Sequence, residues 1–102
     1  MGYSVDNKFT DWFEYVFEPE RFVVYAMYDV CGVRLYIGRT SIHNLKHRMR
    51  VHYNNHEWVR NEVDRIEIMS EHTSWGACCA AEYEAIQLYS TEYNSKGIDI
   101  DE

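Results

Sequence analysis

The apolar positions of the chain change period several times, and each change marks an element. Residues 7–17 place Phe9, Trp12, Phe13, Val16 and Phe17 at three- and four-residue spacing, which predicts an amphipathic helix that Pro19 ends. Phe22 to Asp29 and Val33 to Gly38 are rich in β-branched and aromatic residues and flank Cys31-Gly32, a turn signal, so they predict a hairpin. Leu45 to Tyr53 returns to helical spacing behind Asn44, a suitable N-cap, and Glu57 to Val63 reads as a second short helix. Asp64 to Met69 alternates cleanly and predicts a third strand over 65–69, with Ile66 and Ile68 facing inward. Thr73 or Ser74 can cap a last long helix from Trp75 to about Tyr89. The expected fold is α/β: a small three-stranded antiparallel sheet (22–29, 33–38, 65–69) flanked by helices, with an added N-terminal helix.

The hairpin register decides which side chains meet. A two-residue turn at Cys31-Gly32 pairs Val30 with Val33, Met27 with Tyr36 and Tyr25 with Gly38. Tyr25 and Tyr36 then share a face as diagonal neighbours, with room above Gly38. A slip of one residue sends one tyrosine to the other face.

Two helices carry ionisable groups on faces that should be apolar. Leu45, Arg48, Met49 and His52 lie within a stripe about 100° wide, the stripe expected to pack on the sheet. A basic group there is costly without an anionic partner. On the 75–89 helix the stripe is Cys78, Cys79, Glu82, Ile86 and Tyr89. Glu84 lies about 200° round the helix from Glu82. A carboxylate on a core-facing stripe is neutral, paired to a base such as Arg48, or a metal ligand.

Charge sharpens the picture. The net charge of −7 argues against a nucleic-acid partner, but its distribution is uneven. Between Arg34 and His56 stand Arg34, Arg39, Lys46, Arg48, Arg50 and four histidines, with no Asp or Glu. Such a basic centre can bind phosphate locally, in a salt-dependent way. His43, His47 and His56 have no Cys or Asp partners in a zinc pattern and read as surface or DNA-flanking groups. The length of 102 residues fits one domain with a modest core. No apolar run reaches the roughly 20 residues of a membrane span, and the N-terminus lacks the pattern of a signal peptide. Three cysteines without a CxxC pair point to a reducing, cytoplasmic setting.

Val23-Val24-Tyr25, the hairpin, Tyr36-Ile37-Gly38 and the helix with Arg48 together resemble the GIY-YIG nuclease domain. Tyr36-Ile37-Gly38 matches the second half of its motif letter for letter; in the first half Val23 and Val24 replace Gly and Ile. Glu82, followed by Ile86 and by Tyr93-Asn94, resembles the family's catalytic glutamate and closing asparagine. The likeness covers about residues 22–95, leaving 1–21 as a helical extension and 96–102 as an acidic tail.

The resemblance implies a divalent-metal-dependent endonuclease acting on DNA, duplex or branched. Glu82 would hold Mg2+ or Mn2+, and Arg48 would contact the scissile phosphate. Tyr25 would be the general base, Tyr36 would hydrogen-bond nucleophile or phosphate, and His52 would touch the reacting site. Gly38 and Asn94 would support the site. The basic residues Arg34, Arg39, Lys46 and Arg50 would hold the nucleic acid. The alternative is an inactive module that keeps the scaffold and binds nucleic acid or a protein. The N-terminal helix either covers the core or forms an oligomer interface. With a charge of −7, a monomer is expected in solution, and a protein partner would supply target specificity.

Overall fold

The computed structural model describes residues 20–95. The expected helix at 7–17 and the tail at 96–102 lie outside the described residues. Three strands, β1 (Phe22–Tyr28), β2 (Arg34–Ser41) and β3 (Arg65–His72), form one antiparallel sheet in the order β2-β1-β3. A 3-10 turn (Ile42–Asn44) leads into α1 (Leu45–Asn55), then α2 (Glu57–Glu62), α3 (Trp75–Tyr89) and α4 (Glu92–Ser95). The expected α/β architecture, a three-stranded antiparallel sheet flanked by helices, is the one observed. None of the described helices is long and apolar enough to cross a membrane.

β1 is central because it is apolar on both sides. Val23 to Tyr28 are all buried, as a strand covered on both faces requires. On one face Tyr25, Met27 and Tyr36 pack with Leu45 and Met49 of α1, Trp58 and Val59 of α2, and Tyr93 of α4. On the other face Val24, Ala26, Tyr28 and Ile37 meet Cys78, Ala81, Ala85 and Ile86 of α3. The small residues of α3 let that helix lie close to the sheet.

The hairpin reaches the expected inner register by an unexpected route. Met27 pairs with Tyr36 and Tyr25 with Gly38, but Tyr28 pairs with Arg34, so Leu35 is an extra residue in β2. At the tip, Asp29 N donates to Val33 O (2.9 Å) and Gly32 N to Asp29 O (3.0 Å). The turn is therefore the three residues Val30-Cys31-Gly32, not two, and Val30 does not face Val33. Its cause is the Asp29 carboxylate, which accepts from Cys31 N (2.9 Å) and Val33 N (2.8 Å). Gly32 takes the left-handed conformation this turn needs, at φ 85°. The bulge at Leu35 then restores the pairing that the longer turn displaces.

Two other expectations are corrected. Ile66 and Ile68 stand opposite Met27 and Tyr25, yet they are 39% and 43% exposed. β3 is an edge strand, and the buried cluster on that face draws on β1 and β2. A cavity of about 250 Å3, lined by Met27, Met49, Tyr53, Val59, Val63 and Ile66, opens beside it. Asn44 precedes α1 but makes no side-chain cap; it sits at φ −97°, ψ −3°, not in the extended conformation a capping side chain needs. Ser41 caps the preceding turn instead, accepting from Asn44 N at 3.2 Å. Ser74 does cap α3, accepting from Ala77 N at 3.1 Å.

This difference is measurable. Ser74→Ala should lower stability by about 1 kcal/mol, whereas Asn44→Ala should stay within about 0.5 kcal/mol. Urea unfolding of the two variants checks this, and equal losses would contradict the cap assignment.

Candidate active site

The site is built on both faces of β2, at consecutive residues. On the first face the phenol of Tyr25 lies over Gly38. A methyl group there would sit 2.5 Å from Tyr25 Oη and 2.8 Å from Tyr36 Cε2. The two tyrosines share this face, with ring centroids 6.4 Å apart. His52 of α1 completes the group. Its Nε2 and Tyr25 Oη hydrogen-bond at 2.9 Å, and both residues are fully buried. Arg48, one turn earlier, is half-buried on the same side of the helix. Burial, then the positive charges of Arg48 and His56, push His52 from 6.5 down to about 4, so the ring is neutral near pH 7. Its Nδ1 is buried with no hydrogen-bond partner among the described residues.

An aromatic stack carries α4 to this face. Trp58 and Tyr93 are parallel, with centroids 3.8 Å apart and planes 6° apart. Tyr93 Oη donates to Glu62 Oε2 at 2.7 Å, and burial followed by that carboxylate pushes the phenol up to about 12. Asn94, the next residue, reaches β2. Its Oδ1 accepts from Ile37 N (2.7 Å) and its Nδ2 donates to Ile37 O (3.0 Å). Thr91 Oγ1 also donates to Asn94 Oδ1. The carboxamide thus acts as a one-residue partner strand on the outer edge of β2.

On the second face, Arg39 follows Gly38 and points the other way, towards α3. There it forms an ion pair with Glu82. Glu82 lies on the stripe its spacing indicates and is 7% exposed. The pairing with Arg39 was not foreseen, although strand alternation held the signal, since Arg39 must face the side that α3 covers. The Arg39 Cζ lies 5.2 Å from the ring centroid of Trp75, which is held by the edge of Phe22 at 5.3 Å.

The other basic residues divide. Lys46 and Arg50 are exposed on α1, one turn apart. Arg34 lies against Tyr89, at 3.9 Å from Cζ to ring centroid, and its Nε donates to Tyr28 Oη at 3.1 Å. Arg34 and Arg39 thus make intramolecular contacts that Lys46 and Arg50 are not seen to make. Glu84 is exposed on α3.

A family model described as the GIY-YIG catalytic domain matches residues 21–94. The chain belongs to the GIY-YIG family. No curated protein matches it. Membership makes it a nuclease-type domain of the hydrolase class, and GIY-YIG nucleases generally use divalent metal ions and act on DNA. The residues present fit such an ion in one way. Among the described residues no three His, Cys, Asp or Glu side chains converge as a metal cage. Glu82 offers a single carboxylate, a hard oxygen donor suited to a cation that keeps most of its waters.

Two measurements test this GIY-YIG site. Gly38→Ala forces Tyr25 and Tyr36 from their places and should cost about 1–3 kcal/mol; thermal unfolding reads the loss. Because His52 is held neutral, the unfolded chain takes up a proton that the folded one refuses between pH 6.5 and about 4. Stability from this residue is complete above pH 6.5 and is lost as the pH falls towards 4. Wild type should therefore lose more stability over that window than His52→Asn in parallel urea titrations.

Proposed function

We propose that this GIY-YIG domain is a divalent-metal-dependent endonuclease that hydrolyses DNA phosphodiesters. The observation that carries the reading is that consecutive residues of β2 hold Tyr25, Tyr36 and His52 beside Gly38 on one face and Glu82 beside Arg39 on the other.

In this reading Tyr25 takes the proton from the attacking water. A phenol titrates at about 10, so it needs help to act near neutrality. A neutral His52 with its proton on Nε2 donates to Tyr25 Oη and stabilises the phenolate. This tautomer leaves the partnerless Nδ1 bare, which is cheaper than burying an N–H without an acceptor. Arg48 adds positive charge from the same helix face and takes two phosphate oxygens with its planar guanidinium. The water oxygen bonds to phosphorus, the bond to the leaving sugar oxygen breaks, and solvent returns a proton to that oxygen. Tyr36 hydrogen-bonds the incoming water or the phosphate. Glu82 would hold Mg2+ or Mn2+, and the ion would supply charge neutralisation at the phosphate. Asn94 keeps the edge of β2 in register beside Gly38. Lys46 and Arg50 face the DNA backbone; these phosphate contacts make binding salt-dependent, and the acidic remainder of the chain weakens it.

The second reading is a module that keeps the scaffold without cleavage and binds nucleic acid or a protein. The engagement of Glu82 by Arg39 favours it. A supercoiled plasmid with Mg2+ or Mn2+ separates the two. Glu82→Ala and Arg48→Ala should each lower cleavage about 10²-fold or more, while Glu84→Ala stays near wild type. Cleavage by Glu82→Ala at the wild-type rate would remove the proposed role of Glu82.

A further inference from the structure

Arg39 contacts both Glu82 and Trp75. One arm of its guanidinium donates to Glu82 Oε1, and the group lies 5.2 Å from the ring centroid of Trp75. The carboxylate side chain keeps 9% of its surface accessible and the arginine side chain 32%. A carboxylate that stays ionised when buried to this degree requires a compensating positive charge. The more exposed member of the pair is the one that can leave towards solvent or substrate.

We propose that Arg39 is the resident counter-ion of Glu82 and competes with a divalent cation for it, so that metal loading is coupled to the transfer of Arg39 onto a substrate phosphate. This rests on the reading of Glu82 as the metal-binding carboxylate. The lone pair that accepts from Arg39 cannot also be given to a cation, and two positive groups at one carboxylate repel. A phosphodiester offers the guanidinium two oxygens in the geometry it matches best. Trp75, 44% accessible and 5.2 Å from the guanidinium, gives Arg39 a contact that persists as it turns away from Glu82. Phosphate and metal therefore strengthen each other's binding, and by thermodynamic reciprocity by the same factor. The domain without DNA holds its metal weakly, and Arg39 sets that weakness.

The test is Mn2+ binding to the full chain, read from the paramagnetic resonance signal of unbound Mn2+. Wild type, Arg39→Gln, Arg39→Lys and Glu82→Gln are compared without DNA and with a phosphorothioate duplex that resists cleavage. Without DNA, Arg39→Gln should bind Mn2+ about tenfold more tightly than wild type, Arg39→Lys should stay near wild type, and Glu82→Gln should lose the site. The duplex should tighten binding by wild type and leave Arg39→Gln almost unchanged. If Arg39→Gln binds no more tightly while Glu82→Gln still loses the site, the competition is refuted and the metal role of Glu82 stands. If Glu82→Gln binds like wild type, the metal role itself fails and the proposal falls with it. Arg39→Gln leaves Glu82 without this counter-ion, so folding is followed by circular dichroism. Mn2+ should raise the melting temperature of Arg39→Gln more than that of wild type. A variant that stays unfolded at saturating Mn2+ would also overturn the proposal.

Discussion

Tyr25 lies over β2 because the residue it pairs with has no side chain. That one pairing sets the rest of the site. With Tyr25 opposite Gly38, the diagonal places Tyr36 on the same face, and the phenol comes within 2.9 Å of His52. Arg39, the next residue, is turned towards α3 and meets Glu82. A slip of one residue would put a side chain under Tyr25 and exchange the two faces of β2. The devices that hold the register lie on either side of it. The Asp29 turn and the Leu35 bulge set it at the tip, and Asn94 secures Ile37 on the outer edge.

Burial and charge are resolved differently on the two faces. On the tyrosine face His52 gives up its charge: burial, then the neighbouring Arg48 and His56, oppose its protonation. On the α3 face the charge is kept and compensated, with Arg39 against Glu82. Both arrangements avoid an isolated buried charge. They leave a neutral imidazole on one side of β2 and an ion pair on the other. A neutral imidazole suits proton handling, and a compensated carboxylate suits exchange of one cation for another.

The edges of the sheet are treated unequally as well. The outer edge of β2 receives the Asn94 carboxamide, brought there by the Trp58–Tyr93 stack. β3 carries Arg65, Glu67 and Glu71, the kind of charges that discourage pairing with another strand. Beside it, Ile66 and Ile68 are half-exposed on the face that carries the tyrosines.

The amino-acid sequence by itself determined the elements and their faces. The apolar run of β1, the shared face of Tyr25 and Tyr36, the start of α3 at Ser74 and the inward stripe holding Glu82 follow from period, propensity and capping, which act over a few residues. The tertiary structure decided which polar groups meet. Tyr25 and His52 are 27 residues apart, Arg39 and Glu82 are 43, and Ile37 and Asn94 are 57. Periodicity says which face a side chain takes but not what stands across from it, so Glu82 pointed inward with its partner undecided between a base and a metal. The exposure of Ile66 and Ile68 was hidden for the same reason, since strand alternation is identical at a covered centre and at an open edge. Even the hairpin tip escaped a purely local reading. Cys31-Gly32 marked the turn, but its length was set by an Asp29 carboxylate with two amides to satisfy, and the bulge that corrected for it exists because the core accepts only one register.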